Sequence, residues 1–317
     1  MHDFIAIGDT ATDVFIHLDD ESGVKIVRNE GELPRLSLPF GAKVTYKESI
    51  TVNGVGNAPN AVVSASKLGL KSAIVACIGD DEPGRATIAS LQKAGVDTQF
   101  VTVEAGKRTN YSYFLWYQAE RTILRRHEQF KYVLPNIGKP KWVYVSSVGS
   151  DSPKIYDELA DYLEQNREVK LALQPGSKEL KMREQLSRLY KRADIYFSNL
   201  EEAETVLGID TLGTEELLKR LQALGPKIVV VTDGPNGAHA YDGKQFYTQA
   251  PYPDPKPPVE RTGAGDSFSS TTTVALAYGL DLQTALKWGA INSAYVVQEV
   301  GGQKGLLTRE QIEERLK

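Results

Sequence analysis

Short apolar segments of strand type alternate with longer helical patterns along most of the chain, and this alternation limits the possible folds more than any other feature. The strand candidates are rich in β-branched and aromatic residues and lie at 4–7, 72–78, 142–145, 169–173, 194–197 and 227–232. Helical periodicity occupies 59–68, 84–94, 154–165 and 215–224 between them. This order predicts an α/β fold in which helices cover a mostly parallel sheet.

Two stretches, residues 12–53 and 98–127, interrupt the alternation. Both contain strand patterns without an amphipathic helix between them, most clearly at 24–27, 43–46, 99–103 and 109–117. We expect them to pair into a small β-sheet, a lid formed by about residues 14–53 and 98–127 and inserted in one domain that spans residues 1–317. Its aromatic residues Phe114, Trp116 and Tyr117 need burial, which predicts a homodimer formed through the lid.

Charge and composition exclude several classes of function. The chain has 37 Lys and Arg against 41 Asp and Glu, a net charge of −4, so nucleic acid is not expected as a partner. No leader pattern and no apolar stretch of about 18 residues is present, so a membrane is not expected either. The single cysteine, Cys77, has no second thiol to pair with, which favours a cytoplasmic location.

The sharpest motif is the glycine-rich turn at 259–268, which leads directly into an apolar helical pattern. The small residues Gly263, Ala264 and Gly265 allow consecutive backbone N–H groups to approach a phosphoryl group, and the helix dipole adds favourable potential. Asp266, in the first turn, can accept the proton of an attacking hydroxyl. A simple helix-end carboxylate would explain Asp266 alone. No lysine follows the glycines, so this is not the common phosphate-binding loop.

This segment resembles the Asp-Thr-x-Gly-Ala-Gly-Asp signature of the ribokinase-like, or PfkB, family of carbohydrate kinases, with Thr262 through Asp266 in register. The resemblance implies a three-layer α/β/α core with a β-lid. It also implies transfer of the γ-phosphoryl group of ATP to a sugar hydroxymethyl group, with Asp266 as base and the amides of 263–265 as anion hole. Glu260 and Arg261 replace the leading Asp and Thr. That region helps several family members to bind a monovalent cation. Because of these replacements, it stays open whether this chain uses a monovalent cation.

A second motif at 53–61 looks like the family's Gly-Gly-x-x-x-Asn-x-Ala segment, which holds substrate hydroxyls. An aspartate near the N-terminus and an asparagine at the start of a lid strand match further family positions. The resemblance therefore assigns acceptor binding to Asp13, Gly56, Asn57, Asn60 and Asn110. The alternative for Gly54-Val55-Gly56 is the dinucleotide-binding turn of a nicotinamide-dependent oxidoreductase, against which Pro59 occupies the place of the third glycine.

Later segments are similar to the family's nucleotide and magnesium motifs. The resemblance assigns ATP binding to Asn199, Glu202, Thr232, Gly234, Gly237 and Asn292, and gives Glu202 a role in placing Mg²⁺ through water. Structural alternatives exist, because Asn199 and Glu202 have the spacing of a capping box and the glycines after Thr232 suit a hairpin turn.

Together these motifs follow the family order from Asp13 to Gly302 and predict a kinase that acts on a small molecule. A sugar acceptor is favoured. A nucleoside acceptor stays possible because lid aromatics such as Tyr111 and Tyr113 can stack on a base. The other alternative is a regulator that binds sugar or nucleotide without catalysis, which the presence of Asp266 opposes. The arginines at 121, 125 and 126 are interpreted as a solvated strand face.

Overall fold

A large sheet and a small sheet organise the molecule. The computed structural model describes residues 1–19, 21, 23–29, 31, 33–118, 120–148, 152–209 and 213–316. Its strands, in chain order, are β1 (Phe4–Ile7), β2 (Ala11–Leu18), β3 (Lys25–Val27), β4 (Arg35–Ser37), β5 (Tyr46–Val55), β6 (Ser72–Gly79), β7 (Val101–Glu104), β8 (Asn110–Tyr117), β9 (Glu120–Arg126), β10 (Trp142–Val145), β11 (Lys170–Leu173), β12 (Ile195–Asn199), β13 (Ile228–Thr232), β14 (Ala238–Tyr241) and β15 (Phe246–Gln249).

The helices begin and end close to the predicted positions. They are α1 (Asn57–Lys67), α2 (Glu82–Lys93), α3 (Lys154–Gln165), α4 (Ser187–Arg192), α5 (Leu200–Leu207), α6 (Thr214–Gln222), α7 (Ala264–Ala277), α8 (Leu282–Val296) and α9 (Arg309–Arg315). Every helix and strand predicted from the alternation of the core is present. Of the described helices, none has the length and apolarity that crossing a membrane requires.

The large sheet has the strand order β15-β14-β13-β12-β11-β10-β1-β6-β7. From β13 to β7 all neighbouring strands are parallel, and β14 and β15 add an antiparallel edge. Strand β1 lies between β6, which pairs with it on one side, and β10, which pairs with it on the other. Strand order thus changes direction at β1, and in α/β sheets ligands bind beside the carboxyl ends of strands at such a point.

Helices cover both faces of the large sheet, because each strand sends alternate side chains to opposite sides. Phe4 and Ala6 of β1 pack in the cluster that includes α1, α7 and α8, whereas Ile5 and Ile7 pack in the cluster that includes α3, α4, α5 and α6. All four side chains are fully buried or nearly so. The predicted ribokinase-like α/β fold, with its three layers, is confirmed.

The lid is a four-stranded sheet in the order β5-β2-β8-β9. It differs from the prediction in three places. The strand expected at 43–46 begins only at Tyr46 and continues to Val55 as β5. The strand expected at 99–103 is β7, which pairs in parallel with β6 at the edge of the large sheet because helix α2 links the two strands into a β-α-β unit. The strand expected at 24–27 pairs with β4 in a separate two-stranded hairpin.

The lid aromatics are covered to a large extent within one chain. The ring of Phe114 stacks on Phe15 with centroids 4.6 Å apart, and the ring of Trp116 stacks on His17 at 4.3 Å. The apolar side chains that the lid does expose are others, such as Tyr113 at 44% and Leu124 at 53%. A need to bury Phe114 and Trp116 therefore gives no support to the predicted dimer.

Candidate active site

The glycine-rich turn at the start of α7 has a backbone that only glycine can supply. Gly263 has φ of +80°, and a Cβ atom on it would lie 2.4 Å from the Cα atom of Gly302. Gly263, Ala264 and Gly265 line a cavity of about 400 Å³ beneath the lid. Since the first amides of a helix have no partner within it, the turn presents N–H donors to this cavity.

Asp266 lies in the first turn of α7 and is held by side-chain amides. Asn57 Nδ2 donates to Asp266 Oδ1 at 2.8 Å, Asn60 Nδ2 donates to Oδ2 at 2.8 Å, and Gln174 Nε2 donates to Oδ1 at 3.3 Å. Burial raises the pKa of Asp266, and these amide donors oppose that rise because they favour the charged carboxylate. A carboxylate in this setting is equipped to take a proton.

Asp13 lies in a smaller cavity of about 200 Å³ that adjoins the first. It stands on β2 directly opposite Ser112 of β8. Burial raises the pKa of Asp13 to about 6, while the Ser112 hydroxyl and the Arg125 charge act in the opposite direction. Gly56, Asn57 and small polar residues line this cavity, together with charged or titratable ones: Thr10, Asn110, Ser112, Ser147, Ser177, Arg125, His127, Lys178 and Glu202.

Asp9 is the second carboxylate of this cavity, and the protein itself already uses both of its oxygens. His127 Nε2 lies 2.8 Å from Asp9 Oδ2, and the Tyr132 hydroxyl donates to Oδ1 at 2.8 Å. Asp13 is therefore the carboxylate of this cavity with more capacity to accept hydrogen bonds from a ligand. Asn110 also lines the wall, and its Oδ1 accepts from the backbone N–H of Glu128 at 2.7 Å.

The carboxyl ends of β12 and β13 form part of the wall of the larger cavity, and Glu202, just after β12, also lines the smaller one. Asn199 and Glu202 form the expected capping box of α5, each bond being 2.8 Å long, and both residues also line the cavity. Burial raises the pKa of Glu202, with a further contribution from the negative charge of Asp266. Thr232, at the end of β13, lines the same wall.

A family comparison identifies this arrangement. The model described as pfkB family carbohydrate kinase matches residues 26–309. The chain belongs to the PfkB family. Membership makes it a kinase of carbohydrates or related small molecules, and it removes the oxidoreductase alternative. The geometry agrees, because Gly54 lies at the end of lid strand β5 and Gly56 directly after it, so this glycine turn does not follow a strand of the large sheet.

Relatives within the PfkB family differ in the substrate that their names state. A nucleoside kinase of Methanothermobacter thermautotrophicus is 25% identical over 321 residues, covering 96% of this chain and 92% of that protein. A 5-dehydro-2-deoxygluconokinase of Bacillus velezensis is 29% identical over 272 residues, covering 77% and 80%. The structure of Arabidopsis thaliana ribokinase with ribose and ATP has a TM-score of 0.80 at 20% identity and covers 100% of this chain and 99% of that chain.

Three residues assigned to ATP from the PfkB resemblance do not line these cavities. Asn292 is fully buried between helices, where its Nδ2 donates to Thr271 Oγ1 and its Oδ1 accepts from Leu307 N, both at 2.8 Å. A buried amide with these partners has a structural role. Gly234 and Gly237 belong to the turn before β14, and a Cβ on Gly237 would lie 2.2 Å from the carbonyl oxygen of Gln249.

The structure adds residues to the site of this PfkB chain, among them Arg121, which the sequence pattern indicated as part of a solvated strand face but which lines the cavity. Glu260 Oε2 accepts from Thr262 N at 2.7 Å, Glu260 Oε1 accepts from Gly301 N at 3.0 Å, and Arg121 of the lid lies 3.5 Å from Glu260 Oε2. Gln174 was not considered, although its position just after β11, at the carboxyl end of a central strand, is a topological signal that could have identified it.

Proposed function

We propose that this PfkB kinase transfers the γ-phosphoryl group of ATP to a hydroxymethyl group of a sugar. One observation carries the proposal: Asp266 and residues 263–265 line one cavity together with Asp13 and with Asn199, Glu202 and Thr232. Asp13 and Glu202 also line the smaller polar cavity that adjoins it.

In this proposal each end of the cleft has its own task. Asp13 accepts hydrogen bonds from acceptor hydroxyls, and Gly56 and Asn57 shape the cavity around them. Asp266 accepts the proton of the attacking hydroxyl, while the helix amides at 263–265 stabilise the negative charge that develops on the transferring phosphoryl group. The lid residues Phe15 and Phe114 exclude water from the reaction.

Glu202 is our candidate for placing Mg²⁺ through a water molecule. In the described part of the chain no three His, Cys, Asp or Glu side chains are grouped to hold a metal directly, which suits an ion that retains several waters. Ser198 Oγ, on the same wall, is buried without a hydrogen-bond partner among the described residues, so it fits an ion-bound water or a phosphate oxygen. When bound, Mg²⁺ would neutralise phosphate charge.

A nucleoside acceptor is the second candidate, and a specific observation favours it. Phe15, Phe114 and Ile123 give the lid an apolar face toward the larger cavity, against which a base could pack. The nucleoside kinase relative, which matches nearly the whole chain, supports the same alternative. We place the sugar first because small polar and charged side chains line the smaller cavity around Asp13, whereas Phe15 and Phe114 line the larger one.

Three further parts of the proposal rest on single features. The exposed Tyr113 and Leu124 of the lid support a homodimer through this sheet.

The lone Cys77 is buried, and its pKa is raised to about 12 by burial, which suits a cytoplasmic protein that forms no disulfide. ATP binding at the wall of Thr232 would leave Gly234 and Gly237 to shape the turn behind it.

The test is a screen for ATP consumption against pentoses, hexoses, sugar phosphates and nucleosides in the presence of Mg²⁺, with Asp266→Asn as the matched control. We expect acceptor-dependent turnover by the native enzyme with at least one sugar. Turnover with nucleosides alone would replace the first candidate by the second. Binding of sugar or nucleotide with no acceptor-dependent turnover in any class would contradict both and would favour a regulator.

A further inference from the structure

Gln174 reaches the Asp266 carboxylate with its amide nitrogen, while its amide oxygen faces two hydroxyls. Its Oε1 accepts from the Tyr144 hydroxyl and lies 3.1 Å from Ser269 Oγ, which also donates to the carbonyl oxygen of Gly265 at 2.8 Å. Its NH₂ group faces Asp266 Oδ1 at 3.3 Å. Hydroxyls can donate or accept, so the carboxylate, which only accepts, is the partner that distinguishes the two ends of this amide.

Gln303 determines the orientation of a second amide, that of Asn60. Gln303 Nε2 donates to the carbonyl oxygen of Gly54 at 2.7 Å and to Asn60 Oδ1 at 3.1 Å. Asn60 therefore points its oxygen at Gln303 and its Nδ2 at Asp266 Oδ2. The close approach depends on Gly302, since a Cβ on that residue would lie 2.6 Å from Asn60 Nδ2.

We infer that Gln174, by donating directly to Asp266, and Gln303, by fixing which end of the Asn60 amide faces Asp266, are positioning residues that keep this carboxylate ready to accept a proton. The inference rests on the proposed role of Asp266 as base. A buried carboxylate loses hydration and tends to bind a proton, whereas N–H donors favour its charged form. An amide turned the other way would present an oxygen and reverse that contribution.

Other charged or titratable groups face the same cavity and contribute less directly. From the lid come Asp13, Arg121 and Arg125; from α5 comes Glu202; and from the turn before α7 comes Arg261. Tyr144 of β10 lies behind Gln174 and does not line the cavity. Burial raises the pKa of Tyr144 well above its ordinary value, so its hydroxyl stays neutral. In the described part of the chain, the side-chain hydrogen bonds to the Asp266 carboxylate come from Asn57, Asn60 and Gln174.

The first experiment measures the pH dependence of kcat at saturating ATP and acceptor for Gln174→Glu and Gln303→Met. Gln174→Glu keeps the shape of the side chain and exchanges an N–H donor for a second carboxylate. The acidic limb of its profile should move up by about 1 pH unit or more, so that kcat on that limb falls roughly tenfold. Gln303→Met, which releases the Asn60 amide, should shift the limb in the same direction by less. The control Gln165→Glu lies on the exposed surface of α3 and should leave the limb unchanged.

The second experiment does not depend on turnover. The proton affinity of Asp266 is measured by carbon-13 NMR titration of protein labelled at the aspartate carboxyl groups, with the Asp266 signal identified by its loss in Asp266→Asn. We expect the titration midpoint of Asp266 to rise in Gln174→Glu and in Gln303→Met and to stay unchanged in Gln165→Glu.

Two outcomes overturn the inference. The first is an unchanged midpoint in Gln174→Glu, and the second is an unchanged midpoint in a folded Gln303→Met. If Gln303→Met does not fold, Gln303→Glu replaces it, and the same rise is required because a carboxylate there attracts the NH₂ group of Asn60 away from Asp266. A native enzyme without kinase activity would contradict the proposed function, while the titration would still decide the roles of both glutamines.

Discussion

Asp266 and Asp13 are both buried carboxylates, yet the protein surrounds them differently. Burial raises the pKa of each, but Asp266 receives N–H donors from α1 and from the end of β11, whereas Asp13 has the Ser112 hydroxyl and the nearby charge of Arg125. The protein itself therefore supplies hydrogen-bond donors to the carboxylate of Asp266. It leaves the carboxylate of Asp13 with more capacity to accept hydrogen bonds from a ligand. Two carboxylates in one cleft acquire two roles from their surroundings.

The largest expected effect comes from Asp266→Asn. The amide is nearly isosteric but cannot take the hydroxyl proton, so kcat should fall by about 10²–10⁴-fold while ATP binding stays nearly intact. Steady-state kinetics together with ATP titration calorimetry check both parts. A variant that keeps more than a third of the native kcat would remove Asp266 from the role of base and would end the distinction between the two carboxylates.

Next in size is the effect of Asp13→Ala. Loss of hydrogen bonds from acceptor hydroxyls to a charged group should cost about 1.5–3 kcal/mol, which is a rise of roughly 10–150-fold in the acceptor KM. The ATP KM should change little. Glu120→Ala, at the exposed start of lid strand β9 and outside both cavities, is the matched control and should change neither. A rise in the ATP KM alone would mean that the two ends of the cleft are reversed.

Asn60→Ala should affect both ends, since this residue lies on the acceptor side but donates to Asp266. The sequence predicts an effect on the acceptor KM alone. The structure adds a fall in kcat of roughly tenfold, because one hydrogen bond to a charged group is lost from the base. Kinetics at saturating acceptor separate the two effects. A variant with native kcat and a raised acceptor KM would show that this amide serves the acceptor only.

The pH dependence of the acceptor KM should expose Asp13. Its pKa is raised to about 6, above the ordinary value of 3.8, so the folded protein protonates it as the pH falls through 6. A protonated Asp13 accepts hydroxyl hydrogen bonds less well, and the acceptor KM should rise by up to about tenfold for each pH unit below 6. The rise should be absent in Asp13→Asn. A KM independent of pH between 5 and 8 would mean that Asp13 does not bind the acceptor as a carboxylate.

The smallest expected effect concerns monovalent cations. Both Glu260 oxygens already accept backbone hydrogen bonds, and the Arg121 guanidinium supplies a positive charge beside them. We therefore expect kcat to change less than about twofold when KCl replaces tetramethylammonium chloride at constant ionic strength, because both salts screen charge alike. A severalfold activation by potassium would show that Arg121 and the backbone N–H groups do not by themselves balance the negative charge of Glu260.

Local patterns of sequence were enough to predict the core strands, the helices and the turn at 263–265, because the periodicity of side chains and the backbone freedom of glycine act over a few residues. Contacts between distant segments were not predictable in this way. Gln303 meets Asn60 across 243 residues, and no local pattern reports that pairing. Asn292 shows the converse error, since its match to a family position did not reveal that Thr271 and Leu307 satisfy its amide.

The packing of α1 against α7 also has a consequence for synthesis on the ribosome. Asn60 and Asp266 are separated by 206 residues. At about 5–20 residues per second, α1 leaves the ribosome roughly 10–40 s before the helix that covers it. By the end of that interval the nascent chain has gained the described strands of the large sheet and of the lid, and Asp266 and Gln303 follow last. If Asp266 is the base, as we propose, an unfinished chain cannot transfer phosphate, and catalytic competence arises only near the end of translation.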